Sequence, residues 1–401
     1  MTRRFFSVAI ISAAAAGFIS ASPAGPKSSM YPWERNRKSP ATTTDAVLCY
    51  GGSHHRNPFL WDKERFAPYV TYVDENGREQ WLFDGFIFLE SQDVDRPDSA
   101  AYTYMTGVLR DTGVAAGKEQ WQELIDYYFT EGNCIDGLDK AVTAAEERLG
   151  RAPKKRRVIM VIPDPVIHHH YIDTTTTTTY WGALDGRQLD FKKNDDRVAA
   201  CKWFIDRVRA KFAEGDYRHI ELAGFYWLRE IIAQPQDTEY SYYLTRSDIM
   251  LPHIAEYLHS LNYTFNWIPF CDARGLDDWR KFGFDQVYMQ PNHYWKPEND
   301  MDSVCMMINR AGTSMEFEFE ASILNARPES DVYRARFRDY MKYARQYGIY
   351  GTRPLAYYQG SNALYDLSVS DDETDREFFH EFCRFVTGNP LRSQEPVKGN
   401  K

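Results

Sequence analysis

From Ala46 onward, short apolar runs alternate with longer amphipathic stretches, the pattern of repeated βα units around a parallel sheet. Eight such units can be counted. The apolar runs predict strands over residues 46–50, 81–89, 158–162, 219–228, 264–269, 286–289, 314–323 and 354–358. The amphipathic stretches predict helices over about 119–149, with a break near Gly132 and Gly137, and then over 196–213, 247–261, 301–310, 332–347 and 375–386. A short helix is expected at 278–282, where Gly283 suits a glycine C-cap. No second compositional zone interrupts residues 46–390, which favours one (β/α)8 TIM barrel in a single domain over a doubly wound open sheet.

In such a barrel, function gathers at the C-terminal ends of the strands. The polar residues expected there are His54, Glu90, Asp164, Glu230, Asp272, Asn292, Tyr358 and the late glutamates of the seventh strand. The third strand runs into a long excursion carrying His168, His169 and His170, six consecutive threonines and Trp181. Loops of that length at the active end of a barrel are often functional.

The seventh strand is the most informative. Glu316, Glu318 and Glu320 recur at a spacing of two, so a strand sends all three to one face and Phe317 and Phe319 to the other. Unpaired carboxylates are very costly in an apolar core, so the acids must face water or line a polar cavity. A solvated edge strand fits the segment taken alone; the seventh strand of a barrel points the column into the barrel mouth. Glu316 is then the deepest, expected to be structural and paired with an inward Arg, Tyr or Gln.

Strands four and seven face each other across the barrel, and each ends in a glutamate. Glycoside hydrolysis needs two carboxyl groups flanking the scissile bond, one to protonate the leaving oxygen and one to attack or to activate water. Glu230 paired with Glu318 or Glu320 meets that need. Trp227 is expected to supply the apolar wall that keeps Glu230 protonated. Glu318 is favoured as nucleophile, with Glu320 close behind at the rim. Asn292, His293 and Tyr294, followed by Trp295, suit a sugar platform, and Asp272 and Tyr358 stand where substrate could be touched. Glu90 and Asp164 could bind hydroxyls, or serve equally well as a loop cap or salt-bridge partner. Tyr357 and Tyr358 are as compatible with core as with site.

Glutamates at the ends of strands four and seven resemble the arrangement of the clan A retaining glycoside hydrolases, in which the first is acid/base and the second nucleophile. More closely, the segments Ala223–Glu230, Asn266–Phe270, Gly283–Tyr294 and Met315–Glu320 resemble a bacterial family known as domain of unknown function 4855, over about residues 45–388. That family is common in polysaccharide-degrading gut bacteria, which implies an oligo- or polysaccharide substrate. The chain departs from the clan A pattern at Arg229, where an Asn usually precedes the acid. A contact to the sugar 2-hydroxyl would then come from elsewhere, with Asn292 a candidate. The resemblance implies a retaining glycoside hydrolase working without cofactor; the alternative is a catalytically silent barrel that binds glycans.

Composition narrows the partners. Aromatic residues make up 15% of the chain, including 27 Tyr and 10 Trp, a load suited to gripping half-apolar rings such as sugars. A net charge of −9 argues against nucleic acid, whose readers usually carry a basic stripe. Arg3 and Arg4, the apolar run 5–19 and the small residues at 20–22 read as an export signal, so residues 1–22 are expected to be removed and the protein periplasmic or secreted. Residues 23–45 and 391–401 read as a flexible leader and tail, and no later run is long enough to span a bilayer. The six cysteines match no disulfide or zinc framework and favour buried free thiols. Consecutive histidines on an extended segment point to opposite faces, so neither His168–His170 nor His54 with His55 predicts a metal. No Gly-rich phosphate loop or Gly-x-Ser-x-Gly elbow occurs.

Overall fold

A computed structural model describes residues 40–52, 59–94, 96, 100–106, 113–170, 173–232 and 246–393. Eight parallel strands close into a barrel: β1 (Asp45–Tyr50), β2 (Gly85–Leu89), β3 (Arg156–Ile162), β4 (Ile220–Trp227), β5 (Thr264–Trp267), β6 (Gln286–Met289), β7 (Ser314–Glu318) and β8 (Leu355–Tyr358). Each pairs with its sequence neighbours, and β8 returns to β1 through Asp45–Leu355, Ala46–Ala356 and Val47–Tyr357. The helices around it are α1 (Lys63–Val70), α2 (Lys118–Tyr128), α3 (Cys134–Leu149), α4 (Asn194–Glu214), α5 (Ser247–Ser260), α6 (Met301–Ala311), α7 (Ser330–Gln346), α8 (Ala363–Ser368) and α9 (Glu373–Thr387). This is the single (β/α)8 barrel that the alternation of runs predicts. Among the described residues no helix is long and apolar enough to cross a membrane. The export signal and His54 with His55 lie outside the described residues.

Several boundaries differ from the sequence pattern for local reasons. The expected second strand merges two elements: Glu79–Trp81 pairs antiparallel with Thr71–Val73, and the barrel strand starts only at Gly85. A side chain at Gly85 would put its Cβ 2.4 Å from Thr43 Cγ2, so the floor of the barrel demands glycine there. That floor also buries Thr43 and Thr44. Helix α1 was not evident, being short and carrying Pro68; Asp62 caps it by accepting the Arg65 N–H at 2.9 Å. The long helix over 119–149 is two, and Gly132, with φ +76°, lies between them. Gly137 is no break: it sits inside α3, where a Cβ would come within 2.2 Å of the Trp61 carbonyl oxygen. The short helix expected at 278–282 is a 3-10 turn at Leu276–Asp278.

Strand β7 ends at Glu318, short of residue 323, and a 3-10 turn occupies Ala321–Ile323. Its outer face fixes its register. Phe317 packs on Phe337, Tyr340, Tyr357 and Phe385, and Phe319 on Phe337 and Phe382. Burying each ring favours this register by roughly 1.5–3 kcal/mol. A slip of one residue would reverse every side chain, so the aromatic seam between β7, α7 and α9 obliges Glu316 and Glu318 to face the barrel interior.

Candidate active site

A cavity of about 480 Å³ opens at the C-terminal mouth of the barrel. Its wall includes Leu48 and Tyr50 of β1, Leu89 of β2, Tyr226 of β4 with Leu228, Arg229 and Glu230 just beyond it, Ile268 and Phe270 after β5, Gln290, Asn292 and Trp295 after β6, Glu316 and Glu318 of β7, and Tyr358 of β8. Three carboxyl groups therefore converge on one apolar-walled space. Acids buried at the opposite end of the barrel are met by cations: Asp84 pairs with Lys154, and Asp45 lies 3.3 Å from Arg392. Among the described residues, the acids of the mouth have no cation of their own. Arg229, the one cation in the wall among the described residues, lies 3.7 Å from Asp164 behind it.

Glu318 is the best-supplied anion site of the three. Its Oε2 accepts the hydroxyl of Tyr340 at 2.7 Å and the backbone N–H of Asn292 at 2.6 Å. Asn292 reaches this position in a left-handed conformation, φ +57°, which Asn tolerates better than most residues. Tyr340 in turn accepts the N–H of Tyr294 at 3.1 Å, so its own proton is committed to the carboxylate. Both bonds fall on the same oxygen. Burial raises the Glu318 pKa to about 8, with the Glu230 charge adding to the rise and the two donors opposing it.

Glu230 is only partly exposed, and burial lifts its pKa to about 7 against a single opposing hydrogen bond from Gln290. That bond, from Gln290 Nε2 to Glu230 Oε1, is 2.8 Å long. The turn that presents Glu230 is pinned from β5, where Trp267 Nε1 donates to the Arg229 carbonyl at 2.7 Å. Gln290 and Asn292, two residues apart, thus touch one acid each across the β4–β7 gap. Glu316 is the third acid, 2% exposed, with Oε1 lacking any hydrogen-bond partner among the described residues. Burial, Glu318 and Glu230 all raise its pKa well above the usual range.

The other sequence candidates divide. Glu230, Glu318, Asn292 and Tyr358 line the cavity. Glu316, expected to be paired and structural, lines it too and has no cation partner among the described residues. Trp227 does not: its neighbours Tyr226 and Leu228 face inward, so strand alternation turns Trp227 outward into the core, where it is fully buried. Leu228, Ile268 and Phe270 supply the apolar wall near Glu230 instead. Glu320 lies two residues beyond the end of β7, at the entry to the 3-10 turn, and is absent from the wall. Asp164 meets Arg229 rather than the cavity. Glu90 caps its own loop, accepting the N–H of Ser91 at 2.8 Å. Asp272 is exposed outside the cavity.

Tyr294 is buried and clamps the β6 loop to the β7 turn through Ser322 at 2.7 Å. His293 turns to the Asn299 carbonyl and stands 3.5 Å from Asp339. The platform of the β6 loop is instead Trp295, 38% exposed and edge-on to Tyr358. No described residue of the excursion after β3 lines the cavity; Trp181 is buried among Trp121, Phe191 and Trp203. Among the described residues no group of His, Cys, Asp and Glu side chains is arranged to hold a metal ion. Sequence reasoning gave no role to Gln290, Tyr340 or Tyr50. Gln290 was within reach, since it stands at a strand end; Tyr340 lies on a helix and has the pattern of core.

A family model described as a domain of unknown function (DUF4855) matches residues 45–384. The chain belongs to the DUF4855 family. Comparison with curated proteins finds no match. Among solved structures, the DUF4855 barrel is similar to the catalytic domain of a GH26 endo-β-1,4-mannanase from Bacillus sp. JAMB-750, with 10% identity, a TM-score of 0.41, and coverage of 84% of this chain and 85% of that one. A modular endo-β-1,4-mannanase from Cellulomonas fimi shows 9% identity and a TM-score of 0.41, covering 89% and 74%. A tryptophan synthase α-subunit variant from Pyrococcus furiosus shows 9% identity and a TM-score of 0.36, covering 86% and 98%. Such likenesses carry no argument about the chemistry of the DUF4855 barrel, and its site must be read from its own residues.

Proposed function

We propose that this protein is a glycoside hydrolase that cleaves a glycosidic bond with retention of configuration, Glu230 acting as acid/base and Glu318 as nucleophile. The carrying observation is the contrast between two acids in one cavity: Glu318 has two donors on one carboxylate oxygen, while Glu230 has one amide. Three acids in a low-dielectric space cannot all ionise together, and the charge settles where donors meet it. Burial raises both pKa values, so the assignment rests on those donors: Glu318 takes the charge and Glu230 the proton.

The reaction follows from that assignment. Glu318 attacks the anomeric carbon through Oε1, because Oε2 is held by Tyr340 and Asn292. As the glycosidic C–O bond breaks, the Glu230 proton passes to the leaving oxygen. The resulting Glu230 carboxylate then takes a proton from water, which displaces Glu318 from the sugar and restores both groups. Trp295 and Tyr358 offer apolar ring faces at the cavity rim for the sugar. The N-terminal sequence supports export, which would bring the enzyme to polysaccharide outside the cytoplasm.

The decisive experiment is chemical rescue of alanine variants. Glu230→Ala, assayed with an aryl glycoside whose leaving group needs no acid, accumulates the glycosyl-enzyme. Added azide should then restore turnover and give a glycosyl azide of retained configuration. Glu318→Ala with azide should give the inverted product. Rescue of Glu230→Ala with inversion would remove the nucleophile role of Glu318. Absence of turnover by the unaltered protein on aryl glycosides and polysaccharides, with glycan binding intact, would favour a silent glycan-binding barrel.

A further inference from the structure

Two-acid chemistry uses Glu230 and Glu318 and leaves a third carboxyl without a task. Glu316 is 2% exposed, lines the cavity, and has no hydrogen-bond partner at Oε1 among the described residues. Two buried acids at the opposite end of the barrel are well provided. Asp84 accepts the N–H groups of Thr44 and Asp45, and Asp45 accepts the Tyr357 hydroxyl and the Asn389 amide. An unmet buried polar atom costs about 1–3 kcal/mol, which asks for a partner supplied from outside the chain.

We infer that Glu316 hydrogen-bonds a hydroxyl of an uncharged sugar ring seated beside Glu318, and that rings bearing a carboxylate, sulfate or ammonium group are disfavoured there. The inference rests on the hydrolase reading for the placement of the ring. Its chemistry comes from donor and acceptor matching. Burial and the neighbouring acids keep a proton on Glu316, so it presents one O–H donor together with acceptor lone pairs. A sugar hydroxyl both donates and accepts, and so meets it fully. An ammonium group donates only, so to be met it must displace the Glu316 proton and set a second carboxylate charge beside Glu318. A carboxylate or sulfate would accept that O–H but set a second negative charge against ionised Glu318, a repulsion strengthened by the apolar walls. Arg229, the cation of the wall, is already turned to Asp164.

The test compares the unaltered protein, Glu316→Gln and Glu316→Ala on para-nitrophenyl glycosides of neutral hexoses in both anomeric forms, and on those of the matching uronic acids and amino sugars. Turnover should be confined to neutral sugars. Glu316→Gln keeps a donor and an acceptor and should stay within roughly threefold of the parent in kcat/KM, whereas Glu316→Ala should lose on the order of 10–100-fold. A monodeoxy substrate lacking the contacted hydroxyl should cost the parent the same factor and cost Glu316→Ala nothing further. Preference for a uronide or amino sugar, or equal losses by parent and Glu316→Ala on every monodeoxy substrate, would overturn the inference. If the parent turns over no glycoside, the hydrolase reading fails and calorimetric titration with the free hexoses, uronic acids and amino sugars decides. Neutral hexose binding that Glu316→Ala loses supports the contact; binding of a charged sugar instead, or of none, overturns it.

Discussion

The Tyr340 hydroxyl donates to Glu318 Oε2 across 2.7 Å, joining helix α7 to strand β7 at the acid assigned as nucleophile. The same hydroxyl accepts the Tyr294 N–H, which fixes the direction in which it donates. A hydrogen bond to a charged group is worth about 1.5–3 kcal/mol. Tyr340→Phe removes it without opening a large cavity and should lower kcat/KM roughly 10–100-fold. Losing a donor to the carboxylate raises its pKa, so the acid limb of the pH–rate profile should move to higher pH. A profile unmoved by this substitution would detach Tyr340 from the ionisation of Glu318.

Gln290 offers a second handle. Its amide is the hydrogen bond that opposes the burial of Glu230. Gln290→Leu should therefore push the Glu230 pKa above its value of about 7 and shift the basic limb upward, since the acid form persists to higher pH. The rate on aryl glycosides with good leaving groups should fall less than on poor ones, because only the latter need the proton at the first step. Leaving-group dependence measured for parent and variant checks this.

Trp295 stands 38% exposed at the rim and edge-on to Tyr358 at 5.6 Å between ring centroids. An aromatic face lost from a sugar-binding rim costs about 1–2 kcal/mol. Trp295→Ala should raise KM on oligosaccharides roughly tenfold and leave kcat nearly unchanged, the signature of binding that is uniform between ground and transition states. A fall in kcat at unchanged KM would place Trp295 closer to the chemistry.

The fold was legible because its signal is repeated: each βα unit writes an apolar run and an amphipathic stretch, and eight of them leave little freedom. The facing of Glu316 and Glu318 was legible too, since period-two alternation with Phe317 and Phe319 is a local rule. Trp227 was expected beside Glu230 because it is close in sequence, whereas a spacing of three along a strand sends the two side chains to opposite faces. Glu320 stands outside the cavity wall because the strand ladder ends two residues before it, at Glu318. The partners that divide the labour among the acids were hidden for another reason. Tyr340 and the Asn292 N–H come from a helix and a left-handed loop residue, and tertiary packing alone brings them to Glu318.

Asp164 is set apart from the acids of the cavity by its cation. It is 3% exposed and lies 3.7 Å from Arg229, whose charge, with that of Arg197, offsets the rise that burial imposes on its pKa. Removing one partner of a buried ion pair strands the other, at a cost of about 3–5 kcal/mol for a tight pair and less for a long one. Asp164→Asn should lower the melting temperature by several degrees, while the protein that remains folded keeps a KM close to the parent value. A large rise in KM at unchanged stability would instead make Asp164 a substrate contact.

The acids of the cavity also tie stability to pH, with a definite sign. The Glu230 pKa is about 7 in the folded chain and 4.5 as a free side chain. Below the lower value both states are protonated and no penalty arises. Between the two, the folded state binds more protons than the unfolded state, so stability falls as pH rises, and above about 7 the whole penalty is in place. The gap between those two values sets an upper limit of about 3 kcal/mol, reduced by the partial exposure of Glu230. Glu230→Gln removes the titration while keeping the shape. Its melting temperature should match that of the parent near pH 4 and exceed it increasingly up to pH 8. Thermal denaturation of both proteins across that range measures the difference directly, and a gap that stayed constant with pH would mean that Glu230 titrates as a solvent-exposed carboxylate, which would also deprive it of the proton that the acid role requires.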